Sequence, residues 1–235
     1  MKNKRNITLM ILGFLIVLNI SIVGYKLYKY SPPKPKTKEY IVLNETNKDN
    51  DYNVVNILKT LNDDTVGYIK VKGTNIDYPV MQSSDNDFYL NHDFNKNYLF
   101  AGSVFLDFRN NLDTLDKNNI IYAHAMNNGT MFGSLKNVLT DAWHQNKDNY
   151  IIELTTTDGI KKFEVISSYV IPVTNDYLYV NFDSDQKFID FETKMINRSQ
   201  HNYGAKANKD DKLLTLSTCM NHVNRVVVHA RLITD

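Results

Sequence analysis

Short apolar runs recur through the middle of the chain: Tyr68–Val71, Tyr78–Met81, Gly102–Leu106, Ile120–Ala123, Tyr150–Leu154 and Lys162–Ile171, with Asn, Asp and Gly between them. Runs of this length, rich in β-branched and aromatic residues and bounded by turn formers, predict strands. Two more close the chain, Leu213–Cys219 and Arg225–Ile233, parted by the polar stretch Met220–Asn224. Helical periodicity is rarer. Val54, Ile57, Leu58 and Leu61 form one stripe, with Asp49 or Asp51 as its cap. Met131–Leu139 predicts a short helix. Ser184–Asn197 predicts a longer one, with Phe188, Phe191 and Met195 on one face and Ser184 as cap. Many short strands and few helices predict a mainly β fold, closed or nearly closed into a barrel.

The N-terminus follows a different pattern. Ile7 to Gly24 is almost wholly apolar, broken only by Thr8, Asn19 and Ser21. Its length is near the lower limit for crossing a bilayer. Lys2, Lys4 and Arg5 precede it, Tyr25, Tyr28 and Tyr30 follow it, and no small-x-small cleavage site ends it. The pattern predicts a transmembrane signal-anchor over residues 7–24 rather than a cleaved leader. The tract Ser31-Pro32-Pro33-Lys34-Pro35-Lys36 predicts an extended, solvated stalk. Three parts are therefore expected: 1–25 as tip and anchor, 26–50 as linker, and 51–235 as the folded domain. Flanking charge alone argues the other way, because Lys26, Lys29, Lys34, Lys36 and Lys38 outnumber the basic residues in front. Long domains, however, are translocated largely regardless of flanking charge.

Composition narrows the function. With 235 residues and 43% hydrophobic content, one sizeable core can form. A net charge of +1 and interspersed signs leave no basic stripe, which argues against nucleic acid as a partner. A single cysteine excludes an intramolecular disulfide framework. Fifteen tyrosines and eleven phenylalanines supply core and groove lining.

That cysteine, Cys219, ends one predicted strand, and Arg225 opens the next. If the two strands pair as antiparallel neighbours, thiol and guanidinium face each other across one loop. A fixed positive charge favours the thiolate, which is the nucleophilic form. The competing reading of a lone strand cysteine is a small buried hydrophobe. Of six histidines, His124 ends a buried-looking strand and opens a Gly-containing loop, so its side chain can project from a rigid frame. His222 is the local competitor, and His229 shares strand parity with Arg225. Cys219, His222 and His229 offer a zinc alternative, but no second Cys pair or other clustered ligand accompanies them. No metal and no cofactor are expected.

Thr215-Leu216-Ser217-Thr218-Cys219 resembles the TLxTC signature of sortases, the cysteine transpeptidases of Gram-positive cell surfaces. Arg225 stands where that family carries its essential arginine. Ile120 to Leu135 resembles the segment bearing the sortase histidine, here within Ala123-His124-Ala125 where the family often has Gly-His-Asn. Gly67-Tyr68-Ile69-Lys70, Thr74 to Val80 and Asp85 to His92 resemble the opening segments of class B members. The resemblance spans about residues 51–235. It implies an eight-stranded barrel with an N-terminal helix and a further helix before the cysteine strand. It also implies an extracytoplasmic catalytic domain, so that the predicted single-pass anchor leaves the tip before residue 7 in the cytoplasm and the 26–50 linker outside the cell membrane.

The resemblance further implies acyl transfer. Cys219 would be the nucleophile, His124 the general acid and base, and Arg225 the group stabilising the oxyanion or the substrate backbone. Leu90, Tyr177, Leu178, Ser217 and Thr218 would line the substrate site. The substrates would be surface proteins with a C-terminal NPxTN-like or LPxTG-like sorting signal, cleaved after Thr and passed to a peptidoglycan stem or cross-bridge amine. The same site using water would be a hydrolase, and a membrane-tethered binding module would not need the thiol.

Overall fold

The computed structural model describes residues 16–22, 25, 53–219 and 223–234. The chain divides into two compact units, residues 1–33 and 34–235. In the first, residues 16–22 are helical and exposed. Among the described residues no helix is long and apolar enough to cross a membrane. The expected span over 7–24 is therefore not established by the structure; residues 7–15, 23 and 24 of it lie outside the described residues.

The second unit is a closed eight-stranded barrel. Its strands are β1 (Thr65–Val71), β2 (Asp77–Met81), β3 (Val104–Leu106), β4 (Asn118–His124), β5 (Ile151–Thr156), β6 (Gly159–Pro172), β7 (Leu213–Cys219) and β8 (Asn224–Leu232). Around the barrel they run β1-β2-β3-β4-β7-β8-β6-β5. All eight expected strands form, with ends shifted by a few residues at most sites. β2–β3 and β4–β7 are parallel pairs, and the other six contacts are antiparallel. The barrel interior is filled by Ile69, Val80, Leu106, Ile121, Leu154, Phe163, Leu216 and Val228, among others, all fully buried.

Among the described residues three α-helices decorate it: α1 (Val54–Leu61), α2 (Asp141–Gln145) and α3 (Asp185–Asn197). α1 is capped by Asn53, whose Oδ1 accepts from the Val55 N–H at 2.9 Å; the expected caps Asp49 and Asp51 lie outside the described residues. Its buried face is Val54, Val55 and Leu58, while Leu61 at the fraying end is exposed. The helix expected over Met131–Leu139 is shorter, a 3-10 turn at Leu135–Leu139, followed by α2. α3 begins at its expected cap, Ser184, and buries Phe188, Phe191 and Met195 as expected. It also buries Glu192, one position along the same stripe.

Candidate active site

β4 and β7 lie side by side, parallel, and in register from Asn118↔Leu213 to His124↔Cys219. Each of the last two residues ends its strand. Histidine and cysteine therefore stand at the same level on strands about 4.8 Å apart. On the far side of β7, β8 pairs antiparallel from Leu213↔Arg231 to Ser217↔Val227. Continuing that register brings Cys219 level with Arg225. Arg225 itself pairs with Ile171 of β6. Cys219, His124 and Arg225 thus occupy three adjacent strands at one end of the barrel.

His124 is half-buried, with Nε2 2.8 Å from the Leu90 carbonyl. A carbonyl oxygen only accepts, so in this arrangement Nε2 carries a hydrogen. The Phe100 ring lies parallel to the imidazole, 5.7 Å between centroids and 8° apart. Gly102 leaves room for the Leu90 backbone to pass close by. Its φ is +59°, and a Cβ there would stand 2.4 Å from the Leu90 oxygen and 2.5 Å from the Tyr89 oxygen. The histidine is thus oriented by a backbone carbonyl, a role that residue identity does not reveal. Arg225 is half-buried, and its Nη1 donates to the Asn224 carbonyl at 3.3 Å.

Of the expected substrate-lining residues, Leu90 and Leu178 are half-buried, whereas Tyr177, Ser217 and Thr218 are buried. Tyr177 Oη lies 3.0 Å from Ser217 Oγ. Thr218 Oγ1 accepts from the Val226 N–H at 2.9 Å, joining β7 to β8 just beyond the end of their ladder. Leu90 packs against the Met81, Tyr89 and Phe105 cluster.

Other polar residues beside β4 carry no clear mark in the sequence. Asp107 follows β3 with its carboxylate fully buried. It accepts from Arg109 Nε (2.8 Å), Arg109 Nη2 (2.7 Å), the Arg109 N–H (3.0 Å) and Tyr122 Oη (2.9 Å). Burial works to raise this carboxyl, but the Arg109 fork and the other donors outweigh it and hold the group below the usual carboxylate range. The only sequence signal is Asp107-Phe108-Arg109 after a strand, where an aspartate can bond the N–H two residues on in a turn.

His229 is fully buried, with Nε2 2.9 Å from Tyr169 Oη and Nδ1 2.8 Å from Thr215 Oγ1. Burial pushes its pKa down to about 3, helped by the nearby Arg198 charge. It is a neutral core histidine with both ring nitrogens engaged by hydroxyls, which removes it from the zinc alternative. His222, the other histidine of that alternative, lies outside the described residues. Among the described residues no three His, Cys, Asp or Glu side chains cluster as metal ligands.

A model of the Sortase domain family matches residues 69–233. Sortase B of Staphylococcus aureus is 32% identical over 245 residues, covering 99% of each chain. The chain belongs to the sortase family, class B. Sortase B of Listeria monocytogenes is 36% identical over 185 residues, covering 75% of this chain and 73% of the relative. The solved Staphylococcus aureus sortase B–substrate complex superimposes with a TM-score of 0.78 at 30% identity, over 90% of this chain and 97% of that one. Its eight-stranded barrel makes this sortase mainly β, as expected, and membership of the family implies a transpeptidase.

Proposed function

We propose that this sortase is a cysteine transpeptidase that cleaves a C-terminal sorting signal after Thr and passes the acyl group to a peptidoglycan amine. The observation that carries this reading is the register of the parallel β4–β7 pair, which sets His124 opposite Cys219. The Cys219 thiolate attacks the threonine carbonyl, and the carbonyl π electrons move to oxygen. Arg225 offers a fixed cation to that developing charge. His124, as imidazolium, protonates the leaving amine as the C–N bond breaks, leaving a thioester on Cys219. With Nε2–H committed to the Leu90 carbonyl, proton transfer falls to Nδ1. The neutral imidazole then takes a proton from the incoming amine as it attacks the thioester, and the thiolate departs.

An NPxTN-like or LPxTG-like pentapeptide is the proposed signal, running past Leu90 and the Tyr177–Leu178 segment. The substrate complex of the Staphylococcus aureus relative supports a bound substrate on this barrel. The enzyme is proposed to work outside the cell, tethered by residues 7–24. That part rests on the apolar run and its flanks. Protease treatment of whole cells tests it: the catalytic domain is expected to be digested without lysis, and protection until lysis would contradict the orientation.

Product analysis separates transfer from hydrolysis. With peptide and an added amine, the ligated product is expected to displace the free acid. An unchanged yield of free acid at any amine concentration would mean that water is the acceptor.

A further inference from the structure

The segment after β6 makes no strand pairing of its own, yet its backbone is fastened at consecutive residues. Asn118 does most of this. It opens β4, is fully buried, and pairs with Leu213 in the β4–β7 ladder. Its Nδ2 donates to the carbonyls of Tyr177 (3.2 Å) and Tyr179 (2.8 Å), and its backbone N–H donates to that of Val180 (3.1 Å). The intervening Leu178 carbonyl accepts from Arg109 Nη2 at 3.1 Å. Asn118 Oδ1 accepts from Thr215 Oγ1 at 2.5 Å, which joins the same amide to the cysteine strand. A second tie runs from Tyr177 Oη to Ser217 Oγ. On its other side the segment is moored to α3, where Asp176 pairs with Arg198 and Lys194.

Carbonyls withdrawn from water require donors, and a segment outside helix and ladder supplies few of its own. One asparagine supplies several of them here while holding the strand that carries the nucleophile. We propose that Asn118 is a positioning residue for substrate recognition: it sets the Tyr177–Val180 backbone at a fixed distance from β7, and so fixes the wall of the peptide groove. This rests on the assignment of Cys219 and of the Tyr177–Leu178 segment made above. The role differs from fold support in a measurable way. A residue that only supports the fold changes the fraction of active enzyme, which lowers kcat and leaves KM alone. A wall that drifts weakens binding in every molecule, which raises KM.

The test uses the full chain with a sorting-signal peptide and an amine acceptor, the active fraction being counted by alkylation of Cys219. Asn118→Ala is compared with Tyr177→Phe, which removes the tie to Ser217 and keeps the ring in the core. Amide hydrogen exchange over residues 177–182 is read in parallel. Asn118→Ala is expected to speed exchange there and to raise KM about tenfold with kcat per active site within about threefold; Tyr177→Phe should raise KM by about threefold. If Asn118→Ala fails to fold, Tyr177→Phe decides alone. Faster exchange with unchanged KM, or a fall in kcat at unchanged KM, would overturn the proposal. Absence of cleavage by the unsubstituted chain while Cys219 alkylates normally would overturn the assignment on which it rests, and the proposal with it.

Discussion

His124, the proposed general acid and base, shows how little of a residue's setting its own neighbours in sequence reveal. Its position at a strand end is legible, as are those of Cys219 and Arg225, because each sits on a short, strongly patterned strand. Its orienting partner is a carbonyl, 34 residues away, whose placement depends on the absence of a side chain at Gly102. Asn118 and Arg109 reach Tyr177 and Leu178 across 59 and 69 residues of sequence. Such contacts leave no local pattern, so these polar residues could not be assigned from spacing. The Gly102→Ala substitution probes the carbonyl directly. It forces a Cβ into the Leu90 oxygen at a left-handed backbone position. We expect kcat to fall about tenfold or more, with an altered pH profile for His124, since misplacing a catalytic group by about 1 Å costs up to about 10²-fold. An unchanged profile would mean that the carbonyl does not orient the ring. At Arg225, substitution by Lys keeps charge but loses the planar fork; kcat/KM is expected to drop by about 10²–10³-fold. Steady-state kinetics at matched active fraction checks this, and near-normal activity would remove the guanidinium from the oxyanion role.

At the scale of elements, short apolar runs located every strand among the described residues, and helical periodicity located the longest helix. It failed where an element is too short to show a period. α2 spans only Asp141–Gln145 and is held by the Thr140 cap and by Trp143, whose Nε1 donates to the Lys72 carbonyl at 2.9 Å. α3 was legible as an amphipathic helix, but its stripe conceals Glu192. This side chain is buried beside Asp211, and its Oε2 accepts from the Asn208 N–H at 3.0 Å. Glu192 Oε1 and Asp211 Oδ2 are both buried without a protein donor. Burial, then the adjacent Asp211, pushes the Glu192 pKa up to about 8 despite the Asn208 donor and the Arg231 charge. The folded state therefore holds a proton that the unfolded chain has released. The stabilisation from protonated Glu192 is complete below about pH 4.5 and is lost as pH rises through about 8. Glu192→Gln should raise Tm relative to the parent at pH 8 and by much less at pH 5. Thermal melts across that range check it, and a pH-independent difference would refute the shared proton.

On the scale of the whole molecule, the barrel order explains why the site could be guessed but not constructed from sequence. β4 and β7 are neighbours, yet β5, β6 and α3 lie between them in the chain. Parallel pairing needs such a crossover, and no local signal announces which strands it brings together. The antiparallel β7–β8 hairpin was readable from the short loop between its strands. The central claim is that this end of the barrel forms a thioester on Cys219. The most direct test incubates the full chain with Pro-x-Thr-containing sorting-signal peptides, without an amine, and measures intact mass. The account predicts a threonine-terminated acyl adduct on Cys219, absent in Cys219→Ala and diminished in His124→Ala. Cleavage that persists in Cys219→Ala, or a folded enzyme with a titratable thiol that acquires no adduct from any peptide while releasing product, would contradict it.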